Sequence, residues 1–256
     1  MKAKIITSFD DAVADIPDGA SIATGCWGLT SLSQNLINAI RKKGVTGLTL
    51  IVHNIVPLPM LSEEECTNLT VLLPQLKKII TPVVGLQKLG AGAFVKEYVE
   101  KGLEVEFTCH GTLASRLYAG AARLGGIYTE VGVGTILEKG KEKRILDGRE
   151  YILEKPLRPD YALVRAHKAD RLGNLTYWGV FREDHPVMAM AANVTIAEVD
   201  EIVEVGEIDA EHVVTPGIFV DRIVKIPQGG LGSTEQLKDV IRRQSENEFV
   251  RYLLFR

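Results

Sequence analysis

The sequence is short of cysteine, of aromatic side chains and of charge of one sign. Its three cysteines in 256 residues, Cys26, Cys66 and Cys109, form no C-x-x-C pair. A disulfide framework and a cysteine-held zinc site are therefore not expected, and the thiols are expected reduced. The five histidines are scattered, with no two at helical ligand spacing, so no metal is expected. Lys and Arg number 30 against 33 Asp and Glu, a net charge of −3. The charges are interspersed, which leaves no basic stripe for a phosphate backbone and no expectation of a nucleic-acid partner. No apolar run approaches the ~18 residues that cross a bilayer, and the N-terminus lacks the apolar stretch of a signal peptide. A cytoplasmic protein without a membrane partner is expected. No internal repeat or low-complexity tract is visible.

What is present is a regular alternation of strand-like and helix-like segments. With 46% hydrophobic residues, the chain can bury one sizeable core, and a single domain over 1–256 is expected. Ser8 is placed to cap a short helix that Pro17-Asp18-Gly19 closes. The run 20–24 reads as a buried strand leading into Gly25-Cys26-Trp27-Gly28. Leu32, Leu36, Ile37 and Ile40 then recur at helical spacing, with Gly44 as the stop. Strands follow at 48–53, 77–84 and 103–108, with helices around 94–98 and 112–124. Strands separated by helices favour parallel pairing with right-handed crossovers, so the fold class is α/β: an open, mostly parallel sheet with helices on both faces.

Two segments depart from that rhythm. Asp147-Gly148 between 144–146 and 151–153 is a strong hairpin signal, because Asp-Gly suits the positive φ angles of a type I′ turn. A mid-chain β-hairpin is therefore expected. The stretch 56–75, with Pro57, Pro59 and Pro74, reads as an irregular excursion. Further apolar stretches lie at 161–166, 195–205 and 213–224. An amphipathic helix is expected at about 233–254, its apolar stripe covering either the core of its own domain or a neighbouring subunit.

Several blocks, in order, carry a family likeness. They are Leu103-Glu104-Val105-Glu106-Phe107-Thr108, Gly111-Thr112-Leu113-Ala114-Ser115-Arg116, Gly132-Val133-Gly134-Thr135, the run 165–174 from Arg165 to Asn174, the run 196–206 and the run 215–224. Over roughly 100–225 the chain resembles the alpha subunit of the family I coenzyme A transferases. The resemblance implies exchange of CoA between an acyl-CoA and a short carboxylic acid, with coenzyme A entering as the substrate thioester. It also implies a beta subunit of similar fold, in a heterodimer or heterotetramer, whose glutamate attacks the thioester. This chain has no Ser-Glu-Asn-Gly block that would match the beta subunit's motif, so it is expected to be inactive alone.

The departures from that family pattern mark the candidate site. Where relatives carry Pro-Gln, this chain has Cys109-His110, and the absent glutamine resembles the family's oxyanion donor. His110 can donate one N–H or move protons; the blander alternative is a strand-end residue bonded to backbone. Relatives show Thr-Pro-Thr where Thr129-Glu130-Val131 stands, and Glu130 is either an acid–base group or solvated surface. Gly25, Cys26, Trp27 and Gly28, with Gly132, Gly134 and Thr135, are the candidate substrate-binding residues, since glycines after a strand permit close approach. Cys109 is expected to pack rather than react. Tyr177 to His185 replaces an Ala-Arg-Asn-Phe-Asn motif, with Arg182 either binding a substrate carboxylate or merely exposed. Three readings remain: a transferase alpha subunit, a repurposed relative that decarboxylates or hydrolyses a CoA thioester, and a non-catalytic scaffold subunit.

Overall fold

A computed structural model of the chain describes residues 4–26, 31–55, 62, 67–84 and 93–243. In chain order the strands are β1 (Lys4–Ile6), β2 (Ser21–Thr24), β3 (Leu48–Ile51), β4 (Leu76–Thr81), β5 (Glu104–Phe107), β6 (Ile127–Thr129), β7 (Lys143–Leu146), β8 (Arg149–Glu154), β9 (Tyr161–Asp170), β10 (Leu175–Thr176), β11 (Val194–Val203) and β12 (Arg222–Lys225). The helices are α1 (Phe9–Ala12), α2 (Gln34–Lys43), α3 (Ala93–Glu100), α4 (His110–Ala121), α5 (His185–Ala191) and α6 (Thr234–Arg243). The boundaries follow local chemistry. The Ser8 hydroxyl accepts from the Asp11 amide at 3.0 Å, and Gly44 ends α2 in the left-handed conformation at φ 74°.

Among the described residues, the main sheet runs β1-β12-β11-β9-β2-β3-β4-β5, every pair parallel, with β10 antiparallel to β9. Alternate strand residues divide between two cores, as a pleat with helices on both faces requires. Ile22, Leu50, Ile79, Leu163 and Ile196 pack with Ile16, Leu36 and Ile40. Ala23, Ile51, Ile80, Val164 and Ala197 face the other way, against Leu113, Leu117 and Met188. The fold is therefore the expected α/β class.

The expected hairpin forms as β7 and β8, joined by Asp147 at φ 49° and Gly148 at φ 77°. Both angles are positive, as a type I′ turn demands. With β6 it makes a separate three-stranded antiparallel sheet. Part of the irregular stretch forms a 3-10 helix, Leu69–Gln75; residues 56–61 and 63–66 lie outside the described residues, as does 244–256 of the expected C-terminal helix.

Strand order changes direction beside β2: the chain passes from β2 to β3 on one side, and β9 leads to β11 on the other. In open α/β sheets such a reversal opens a crevice beyond the carboxyl ends of the strands, because the two connections leave on opposite faces. Here α2 packs on one face and α5 on the other. Close contacts fix the second of these layers. A Cβ at Gly120 on α4 would lie 1.8 Å from the Leu157 carbonyl oxygen. Backbone cannot move aside cheaply, so Gly120→Ala is expected to destabilise by about 1–3 kcal/mol or more. Chemical denaturation measures it, and an unchanged midpoint would contradict this packing.

Candidate functional site

Residues at the ends of four elements line the crevice. Gly25 and Cys26 continue β2, His53 and Asn54 come just after β3, His110 begins α4 after β5, and Glu183-Asp184-His185 leads into α5. The Cys26 thiol donates to Asn54 Oδ1 at 3.3 Å, tying the first two loops together.

A line of hydrogen bonds crosses this crevice. His53 Nε2 is 2.6 Å from Asp184 Oδ2, and His53 Nδ1 is 3.1 Å from His110 Nδ1. The two imidazoles are nearly parallel, at 10° with centroids 5.4 Å apart. The acceptors decide the tautomers. A carboxylate only accepts, so His53 carries its proton on Nε2. A neutral His53 then accepts at Nδ1, His110 must donate from Nδ1, and the basic lone pair of His110 is on Nε2. Protonation of His53 would reverse the donor between the rings and move one proton along the line.

The electrostatics are graded along it. Burial disfavours a charged His53, but the hydrogen bond to Asp184 and the charges of Glu183 and Asp184 outweigh burial and raise its pKa above the ordinary 6.5. At His110 burial lowers the pKa, His53 lowers it further, and Asp184 only partly offsets them. His110 is the first residue of the 12-residue α4, whose positive end also disfavours an imidazolium. The exposed ring is thus biased towards the neutral base, and the inner ring towards holding the proton.

The turn that delivers Asp184 is strained. Glu183 stands at φ 38°, a conformation that costs a bulky side chain of order 1–3 kcal/mol. Asp184 occupies the N-cap position of α5 yet makes no side-chain cap bond. Its carboxylate goes to His53 instead, forgoing about 1 kcal/mol of capping. Such local departures mark positions held for a reason other than helix stability.

His185 braces the crevice from below. It is fully buried, stacks on Tyr177 and donates from Nε2 to the Ser31 carbonyl at 2.8 Å. A Cβ at Gly25 would come within 2.5 Å of His185 Nε2 and 2.8 Å of a Glu183 carboxylate oxygen. Gly25→Ala is therefore expected to push the 183–185 turn away from His53, costing about 1–3 kcal/mol of stability by overpacking along with activity. A variant with wild-type melting and turnover would show that the turn yields freely.

Burial pushes the His185 imidazole down to about 4, with the Ser31 bond only partly opposing it. The unfolded chain takes up a proton near pH 6.5 that the folded chain refuses, so this group lowers stability as pH falls from 6.5 towards 4. At ~1.4 kcal/mol per pH unit the loss is about 3 kcal/mol. Buried Glu198 acts oppositely. Burial raises it to about 7, and the folded chain holds a proton that the unfolded chain releases as pH rises from about 4.5 to 7. Replacing His185 by Gln should remove the first slope, so the stability gap between wild type and variant narrows as pH falls. Urea unfolding at several pH values tests this, and a constant gap would contradict it.

The structure brings together only some of the residues singled out from sequence. Gly25 and Cys26 lie against Glu183, His185 and Asn54, and His110 joins them through His53 and Asp184; Trp27 and Gly28 lie outside the described residues. Glu130 directly follows β6 of the three-stranded sheet, exposed, 3.3 Å from Arg149. Gly132 and Gly134 have φ of 96° and 73°, and Thr135 caps the short 3-10 helix after it. None of the contacts described for this loop reaches His53, His110 or Asp184. Arg182 is exposed. Sequence reading missed His53, Asn54, Glu183 and Asp184. The available signal was position: each lies within three residues of a strand's end or a helix's start at the carboxyl edge of the sheet. Among the described residues, no group of three or more His, Cys, Asp or Glu could hold a metal ion, and no helix is long and apolar enough to cross a membrane.

Residues 6–226 match the family described as coenzyme A transferase. The A subunit of the probable succinyl-CoA:3-ketoacid coenzyme A transferase of Bacillus subtilis (strain 168) is 39% identical over 221 residues, 86% of this chain and 89% of that protein. The solved decarboxylase AibA/AibB is 28% identical, with a TM-score of 0.73 and both chains fully covered. The acyl-CoA transferase YdiF of E. coli O157:H7, in its thioester complex with CoA, shares the fold at a TM-score of 0.76 and 20% identity. This chain covers 92% of its own length there and spans 49% of that larger chain. The match across most of the chain and the shared α/β architecture together show that this chain belongs to the coenzyme A transferase family.

Proposed function

We infer that this chain is the alpha half of a two-chain enzyme that exchanges CoA between an acyl-CoA and a short carboxylic acid. A beta subunit of similar fold supplies the attacking glutamate. The observation that supports this reading is a chain of contacts inside the span matched to the family: Gly25 abuts Glu183 and His185, Cys26 bonds Asn54, and His53 bridges Asp184 and His110. Gly25, Cys26, Trp27 and Gly28 wall the acyl group in this reading, and His110 stands where relatives carry a glutamine donor. Glu130 with Gly132, Gly134 and Thr135 forms a lip against the partner. Exposed Val131, Ile136, Ile145 and Leu146 on the same small sheet and its loops give that partner an apolar landing.

Co-expression with the partner tests it. The purified pair should move CoA from a labelled acyl-CoA to a free acid, and hydroxylamine should trap a glutamyl thioester on the partner. The chain alone should do neither, and turnover by the solitary chain would overturn the reading.

A second reading, decarboxylation or hydrolysis of a CoA thioester, is favoured by the Asp184-His53-His110 line. A thioester and a carboxylate exchange CoA with no net proton movement, so a proton path is surplus to transfer. Release of CO2 or of free acid without an acceptor acid distinguishes the two.

A further inference from the structure

We propose that His110 is the acid–base catalyst of the crevice, its Nε2 exchanging a proton with the carbon next to the thioester carbonyl of a bound acyl-CoA, while His53 and Asp184 act as positioning residues. This rests on the reading that the crevice receives a CoA thioester.

Three observations converge on the assignment. The acceptor-only carboxylate of Asp184, 2.6 Å from His53, keeps the proton of a neutral His53 on Nε2 and, in that state, leaves the basic nitrogen of His110 on the side away from His53. Stacking at 10° and the burial of His53 restrict the rotation that would scramble that arrangement. His110 also opens α4, so first-turn amides without helical partners lie beside the ring, where an enolate oxygen would need donors.

The step balances without an oxidant or a second reactant. The C–H bond breaks, its electron pair moves into the carbon–carbon bond as the carbonyl oxygen takes the negative charge, and the proton passes to Nε2. The reverse step returns it. If the same carbon carries a carboxylate, the C–C bond breaks instead, CO2 leaves, and an imidazolium His110 supplies the proton that the enolate carbon takes up. The charged and titratable groups of the described residues that act on the pair are Glu183 and Asp184 from the turn before α5, with His185 behind them.

The experiment uses the complex with its partner subunit in D2O, with butyryl-CoA and succinyl-CoA as probes and binding measured by calorimetry. NMR follows the hydrogens on the carbon beside the thioester. A bound probe should lose them to deuterium far faster than in buffer, and His110→Ala should slow this by about a hundredfold or more. The exchange rate should rise with pH as His110 loses its proton. In Asp184→Asn that rise should move to lower pH, because the nearby anion that favours imidazolium is gone; a merely structural lesion would lower the rate without moving the profile. A probe that binds and keeps these hydrogens overturns the proposal. If such a probe still exchanges its CoA, the transfer reading stands without the proton step. Incorporation of solvent oxygen into the released acid without deuterium at carbon also overturns it, assigning the line to water activation. Failure of both probes to bind would overturn this proposal and the reading beneath it together.

Discussion

Replacing Asp184 by asparagine should lower the rate of the proposed proton step in the assembled complex by about 10² to 10⁴, the range lost when a positioned acid–base group is disabled. The asparagine amide can donate, so it no longer compels His53 to carry its proton on Nε2. His53 is then released to hold a proton on Nδ1, which opposes the one on His110 Nδ1 at 3.1 Å. His110 responds by exposing an N–H in place of a lone pair, and the base is lost though every ring stays in position. KM should change far less than kcat, since the group acts on the reacting atoms and contributes little ground-state binding. His110→Ala should show the same split. A tenfold or larger rise in KM with unchanged kcat would mean that the pair only binds substrate.

The largest effect on stability is expected at Arg165. It lies in β9, almost fully buried, and donates to Asp200 at 2.7 Å and to the Gly232 carbonyl at 2.9 Å. Asp200 also accepts from Thr234 and contacts His167. Glu198, entirely buried, accepts from the Asn35 and Leu36 amides at the start of α2. The guanidinium opposes the cost of burying both carboxylates, and Arg165→Met leaves them without it. Removing one partner of a buried pair costs about 3–5 kcal/mol, a fall of about 10 °C in melting temperature for a chain of this size. The sign with pH is fixed as well. Burial raises and Arg165 lowers both groups, so without it both titrate higher and protonation relieves the variant at low pH. The deficit should be larger at pH 8 than at pH 5. A substitution that costs under about 1 kcal/mol, or one with no pH dependence, would show that hydrogen bonds alone satisfy these carboxylates.

Most of the architecture was legible because it rests on short-range chemistry. Asp147-Gly148 adopts two positive φ angles for steric reasons that no distant residue alters. Ser8 starts its helix and Gly44 stops its own through bonds within a few positions. The apolar stretch at 161–166 is only the first part of a strand, since β9 continues through His167 and Lys168 to Asp170. Charged residues there argue against a buried strand until Asp200 and Glu201, on the neighbouring β11, supply partners at 2.7, 2.9 and 3.0 Å. His110 was legible only through the family pattern, since a lone histidine after an edge strand carries no signal of its own.

By itself the sequence determined the alternation of strands and helices through most of the main sheet, the hairpin, the capping residues and the family, but not β1, β6 or α5. Each feature it determined depends on side-chain periodicity or on blocks of neighbouring residues. Only the tertiary structure decided the proton path. His53 stands 57 positions from His110 and 131 from Asp184, and nothing local ties them. They meet because the parallel sheet puts the carboxyl ends of all its main strands on one edge, and because the reversal beside β2 sends α2 and α5 to opposite faces. That geometry leaves a crevice between them, into which a strained turn at Glu183 carries one carboxylate.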